Sequence, residues 1–156
     1  MAGFTVGAKI NETFNPSSDF GDRAGLGDVV ELHDNRKFVF VSASTSVTSY
    51  QVVAIDSTHY VQPATSALAS AASRLGVAQN NISAGSWGWV QTRGLMTVNA
   101  LSTCSASAAL YTSGTAGSVD DTSTSQVKIG GLVITGNITA AAATTAVAAV
   151  DLFTAL

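Results

Sequence analysis

Residues 29–41 read VVELHDNRKFVFV, and this stretch decides the fold class of the chain. Two runs of β-branched and aromatic residues, at 29–32 and 37–41, flank the polar segment 33–36. Asp and Asn inside such a segment favour a tight turn, whereas Val and Phe favour strands. The stretch therefore predicts a β-hairpin.

Short runs of the same kind recur on the C-terminal side of this hairpin. Further strands are predicted at residues 50–55, 58–62, 75–79, 109–112 and 127–135, the last with a bulge or bend at its glycine pair. Residues 64–73 are rich in Ala and predict one or two helical turns. Residues 140–156 fit a helix or a strand, and we favour a closing strand because the preceding elements leave a sheet edge to cover. The fold class is therefore all-β, a single compact barrel or sandwich.

Residues 87–98 read WGWVQTRGLMTV and predict a second hairpin, with its turn at Arg93 and Gly94. Trp87 and Trp89 share one face of the strand, because successive side chains alternate between faces. Aromatic pairs of this kind usually belong to a core or to a subunit interface. A sugar-stacking platform is the alternative interpretation.

Residues 1–27 show no sustained periodicity, so we divide the chain into an N-terminal arm (1–27) and a β-rich domain (28–156). Phe4, Phe14 and Phe20 are spaced along the arm. A floppy terminus is one interpretation. An extended arm that anchors its phenylalanines on a neighbouring subunit is the other, because disordered tails usually lack aromatic residues.

Composition favours assembly with other protein subunits. The 156 residues fit one domain, and only 11% of them are charged, against about 25% in ordinary soluble domains. Polarity therefore comes from small hydroxyl and amide groups, which lose little rotamer entropy when they are covered. A surface of this kind is easier to bury against a neighbour than a lysine-rich one.

Several functional classes find little support in the residues. The seven basic residues are scattered and the net charge is −3, which disfavours nucleic-acid binding. No apolar run is long enough to span a membrane, and the first residues do not read as a signal peptide. Neither a metal site nor a catalytic group is indicated by the spacing of His33, His59, Cys104 and the pair Asp120-Asp121. We therefore expect no enzymatic activity, cofactor or metal.

A series of segments, taken in order, resembles the small decoration (cement) proteins of tailed-phage capsids. These segments are residues 27–30 with 37–41, 50–56, 75–79, 85–91 with Arg93-Gly94, 109–112 and 130–134. The resemblance implies a tulip- or barrel-like domain on the outer capsid surface, often a homotrimer, which bridges subunits of the major capsid protein. It also implies synthesis in the host cytoplasm without a signal peptide.

The predicted function is accordingly that of a structural virion protein that stabilises a phage capsid. Its expected partners are the major capsid protein and further copies of itself. The predicted interface residues are Phe4, Phe14, Phe20, Trp87 and Trp89. The alternative is a tail-fibre or carbohydrate-binding module that uses Trp87 and Trp89 as an exposed pair.

Overall fold

The computed structural model of the chain describes residues 10–16, 24–71 and 74–155, and within these ranges the fold is all-β, as predicted. The elements in chain order are β1 (Val29–Glu31), β2 (Lys37–Ala43), β3 (Val52–Ile55), β4 (Tyr60–Pro63), α1 (Ser66–Ala71), β5 (Arg74–Ala78), β6 (Trp87–Ala100), β7 (Leu110–Thr112), β8 (Val119–Asp120), β9 (Lys128–Ile134) and β10 (Ala142–Ala155). The predicted hairpin at 29–41 forms as β1 and β2, and the tail forms the predicted closing strand. No helix among the described residues has the length and hydropathy needed to cross a bilayer.

Five strands close a first ring in the order β2, β4, β3, β5 and β6. Each strand pairs with the next, and β6 pairs back to β2. The contact between β2 and β4 is parallel, and the other four are antiparallel. A cluster of small and β-branched side chains fills this ring: Val39, Val41, Ala43, Val47, Val53, Ile55, Val61, Ala78, Ile82 and Val90.

A second ring consists of β6, β10, β9, β7 and β8. Strand β6 is common to both rings, and the second ring closes through a parallel pair between Ala100 and Val119. Its apolar cluster also includes Val52, Leu75 and Val77 from strands of the first ring. The core of the second ring therefore packs against the outer side of β3 and β5, while the first ring keeps a cluster of its own.

The hairpin predicted at residues 87–98 is wrong, because these residues lie within the 14-residue strand β6. The part of β6 from Trp87 to Arg93 pairs with β2, and the part from Gly94 onward pairs with β10. Gly94 lies between these parts with a φ of 95°. Glycine adopts this conformation without steric cost. An Arg-Gly pair is therefore compatible with a bend inside a strand as well as with a turn between two strands.

The pairing is irregular at the glycine pair of β9, where a bulge or bend was predicted, but the extra residues lie in β10. The register between β9 and β10 shifts between Ala148 and Phe153, and Gly131 adopts a φ of 89° opposite this irregularity. The bulged part of β10 contains Asp151, whose carboxylate lies 2.5 Å from the Lys37 ammonium and 3.8 Å from the Arg93 guanidinium. These ion pairs connect β10 to β2 and β6.

Candidate interaction surfaces

An aromatic cluster lies on the outer face of the first ring. Phe38, Phe40 and Trp89 are 2%, 0% and 4% exposed, respectively, and the Phe40 ring lies 5.0 Å from Trp89 and 6.0 Å from Trp87 between centroids. These side chains point away from the ring interior because Val39, Val41 and Val90, their neighbours in sequence, point into it. Both tryptophans therefore contact the same phenylalanine, as their shared face predicted.

Residues 10–16 of the predicted arm lie against this cluster. The Phe14 and Trp87 backbones exchange two hydrogen bonds, each 2.7 Å long. The Phe14 ring meets Phe40 edge-on at 5.6 Å between centroids. Ile10 and Leu26 also pack against the cluster. The described arm residues therefore contact the domain of their own chain.

The five predicted interface residues fall into three groups. Phe4 and Phe20 lie outside the described residues. Phe14 and Trp87 are half-buried in the aromatic cluster. Trp89 lies in the core, which is one of the two positions that the sequence predicted for it. Because Trp89 is 4% exposed, the two tryptophans do not form the exposed pair that the carbohydrate-platform alternative requires.

A second surface, which we call the open face, lies on the outside of the second ring. It consists of Leu95, Val133, Val147, Thr97 and Thr145. Leu95 on β6 pairs with Val147 on β10, which in turn pairs with Val133 on β9, so the three apolar side chains form one row. Thr97 and Thr145 are paired in the next outward row.

The open face carries no charged side chain among its five residues, and Leu95 is 58% exposed. The intervening residues Met96, Ala146 and Ile134 are buried in the core beneath it. This surface was not predicted from the sequence, because a hairpin with its turn at residues 93–94 excludes the pairing of β6 with β10. The alternation of large and threonine side chains at residues 95 and 97 and at 145 and 147 was the available signal.

The one grouping of potential metal ligands in the described part of the chain is Cys104, Asp120 and Asp121, whose ligand atoms lie within 4.8 Å of one another. The Cys104 thiol is 1% exposed and contacts Asp120 Oδ1 at 3.8 Å. Burial, together with the charges of the two aspartates, raises the pKa of this thiol. A thiol that stays protonated is a poor metal ligand and a poor nucleophile. Cys104 is a buried free cysteine.

The chain is similar in fold to the N base of the head fiber gp8.5 of bacteriophage phi29. The superposition covers 73% of this chain and 94% of the phage structure, with a TM-score of 0.53 and 18% sequence identity. No protein-family model matches the chain, and no curated protein matches its sequence. The likeness supports the all-β fold.

Proposed function

We propose that this chain is a structural protein of a phage virion that attaches to the head surface and bridges subunits of the major capsid protein. The observation that carries the proposal is the fold that it shares with the N base of a phage head fiber. The low fraction of charged residues, 11%, supports the same role, because a surface of small polar groups is easily covered by other protein.

The open face is the surface that we assign to protein contact. Covering the apolar row and the threonine row desolvates little charge, because the charged side chain that lines the hollow beside Leu95, Thr97 and Thr145 is that of Arg36, which is paired with Asp34. Leu95 is a large apolar residue with 58% of its surface exposed, and it would act as the anchor of this contact. Strands β6, β9 and β10 hold the face rigidly, so little backbone entropy is lost on docking.

The N-terminal arm supplies a second contact in this proposal. Phe14 is already bridged to Trp87 at the start of β6, and we assign Phe4 and Phe20 to contact with a neighbouring subunit. Two weak contacts on one chain raise the effective concentration of each for the other, so occupancy can be high without one strong interface. Self-association as a homotrimer would repeat this arrangement around a symmetry axis.

The test uses the purified full chain and heads of the phage that encodes it. Light scattering after size exclusion measures the mass of the chain in solution, and co-sedimentation measures its occupancy on heads. We expect an oligomer or saturable binding to heads, and we expect Leu95→Glu to lower either by at least about tenfold because it buries a charge in the contact.

Val29→Glu is the matched control, since Val29 is also an exposed apolar residue, at 40%, but lies on β1 away from the open face. Circular dichroism checks that both variants keep their strands. The proposal is wrong if the native chain stays monomeric at high concentration and does not sediment with heads. Equal losses for the two variants would contradict the assignment of the open face.

A further inference from the structure

A cleft with a volume of about 420 Å³ opens where the β3–β4 turn, the end of α1 and the start of β5 meet. Its apolar wall comprises Ala54, Ile55, Leu68 and Ala71, and its polar side chains are Asp56, Ser57, His59, Tyr60, Gln62 and Arg74. The volume lies within the range of small-molecule sites, about 300–1,000 Å³. None of these residues belongs to the open face or to the aromatic cluster.

The Arg74 guanidinium is the cation of this cleft. Its Nη1 lies 3.2 Å from His59 Nε2, and because a guanidinium can only donate, the imidazole nitrogen must be the acceptor. Among the described residues, no carboxylate forms an ion pair with Arg74. One Arg74 N–H is therefore directed at His59, and the guanidinium retains N–H donors for an anionic ligand.

His59 is held in place on its other side. Its ring lies over Gly27, where an added Cβ would come within 2.7 Å of His59 Cε1. Its backbone carbonyl accepts a hydrogen bond from the Ser42 N–H at 3.0 Å. The imidazole is thus positioned before any ligand arrives, and it offers an acceptor that orients one N–H of the guanidinium. Such pre-organisation lowers the entropy lost on binding.

The β3–β4 turn also brings an acceptor, Asp56, to the lining of the cleft. Its Oδ1 accepts hydrogen bonds from the Thr58 N–H and hydroxyl, both at 2.8 Å, and from the Tyr60 N–H at 2.9 Å. One carboxylate and one guanidinium in the same cleft disfavour a ligand with several negative charges, because Asp56 would repel it. A ligand with one acidic group and several hydroxyls meets both side chains favourably.

Tyr60 and Gln62 complete the polar lining. Both lie on β4, two residues apart, so their side chains leave the same face of the strand. Tyr60 is 43% exposed and offers an aromatic face on which a sugar ring can stack. The Gln62 amide can both donate to and accept from hydroxyl groups.

We propose that this cleft binds a saccharide unit that carries a single carboxylate, such as a hexuronate. Arg74 pairs with the carboxylate, Asp56 and Gln62 bind ring hydroxyls, and Tyr60 packs against the face of the ring. The proposal is independent of the head-attachment role, because it uses other residues and needs no second protein.

The test is a titration of the isotope-labelled full chain with D-glucuronate, followed by two-dimensional NMR. D-Glucose supplies the ring without the carboxylate, and acetate supplies the carboxylate without the ring. We expect D-glucuronate to shift the signals of Thr58, Tyr60, Gln62 and Arg74 with a dissociation constant on the order of 1 mM. Glucose and acetate should each bind at least about tenfold more weakly.

Variants locate the site. Arg74→Gln should weaken binding of D-glucuronate by at least about tenfold, because it removes a charge-assisted hydrogen bond, and Tyr60→Ala should weaken it several-fold. Arg36→Gln is the matched control, since Arg36 pairs with Asp34 outside the cleft, and it should keep the native affinity. Both Tyr60 and Arg74 are exposed, so their replacement leaves the core intact.

Three results would overturn the proposal. The first is the absence of signal shifts with D-glucuronate up to about 20 mM, well above the expected dissociation constant. The second is equal affinity for acetate or for glucose, which would remove the need for one of the two groups. The third is an unchanged affinity in both Arg74→Gln and Tyr60→Ala.

Discussion

The Phe153 ring lies directly over Gly130. The two residues pair across β10 and β9, and a Cβ added to Gly130 would come within 2.3 Å of Phe153 Cζ. The aromatic ring therefore covers a stretch of backbone that has no side chain of its own, a recognised way of stabilising a glycine in a sheet. The contact lies next to the bulge of β10, and it fixes the register where the pairing resumes.

This contact predicts that Gly130→Ala and Phe153→Ala each destabilise the chain by about 1 kcal/mol. Alanine at residue 130 pushes the ring away, so both changes remove the same interaction. The double variant should therefore lose little more free energy of unfolding than either single variant. Chemical denaturation measures all three free energies of unfolding.

Gly136→Ala is the control for this cycle, because no atom lies within 4 Å of the Cβ it would add. Its effect should stay within about 0.5 kcal/mol. Strict additivity of the two single variants would show that Phe153 and Gly130 act independently, and would contradict the contact.

A second prediction concerns the corner of β6. Gly94 has a φ of 95°, and a Cβ there would lie 2.8 Å from Arg36 Cα and 2.9 Å from Asn35 O. Since these are backbone atoms, they cannot move aside as a side chain can. We expect Gly94→Ala to destabilise the chain by about 3 kcal/mol, from backbone strain and overlap together.

Gly85→Ala separates the two contributions. Gly85 also has a positive φ, 78°, but no atom lies within 4 Å of an added Cβ. Gly85→Ala should therefore destabilise the chain only by the cost of a positive φ in a non-glycine residue, about 1 kcal/mol. Thermal and chemical unfolding compare the two variants. Similar losses at both positions would mean that the corner of β6 is not sterically closed.

Local pattern was sufficient to predict most of the strands, because β-branched runs bounded by polar turns were present in the sequence. The path of β6 could not be predicted in this way. Arg93 and Gly94 carry the composition of a turn, and whether such a glycine ends a strand or bends it depends on which strand lies opposite. That partner, β10, lies about fifty residues further along the chain, beyond the reach of local pattern.

The candidate sites also divide into features that local pattern predicts and features that depend on contacts between distant strands. The alternation of side chains along a strand predicted that Trp87 and Trp89 share one face. Both tryptophans contact Phe40, which agrees with this prediction. The open face and the cleft at Arg74 combine residues from separate strands. Nothing in the segments around His59 and Arg74 indicates that Gly27 supports the imidazole, because this contact depends on the closure of the first ring.

A third prediction follows from the charge of Asp56. Burial raises the pKa of this carboxyl, but the hydrogen bonds from Tyr60 and Thr58 outweigh it, so the pKa lies below its ordinary value of 3.8. The stabilisation is therefore fully present above 3.8 and is lost as the pH falls through the lower pKa of the folded chain. Asp56→Asn should lower the melting temperature at neutral pH, and the difference should narrow in acid.

Ser57→Ala is the control for this titration, since it alters the same turn without changing a charge. Its effect on the melting temperature should not vary with pH. A difference between the native chain and Asp56→Asn that persists unchanged well below pH 3.8 would contradict the assignment of the stabilisation to the ionised carboxylate.

The last prediction concerns the reactivity of Cys104. Its thiol is 1% exposed, and burial, followed by the charges of Asp121 and Asp120, raises its pKa. Because the thiolate is the reactive form and the side chain is buried, the folded chain should react with iodoacetamide more slowly than the unfolded chain. Mass spectrometry of timed samples measures both rates.

Asp120→Asn should speed the reaction of the folded chain only slightly, because burial is the larger cause of the raised pKa and remains in this variant. Equal rates for the folded and unfolded chains would contradict the buried position of the thiol.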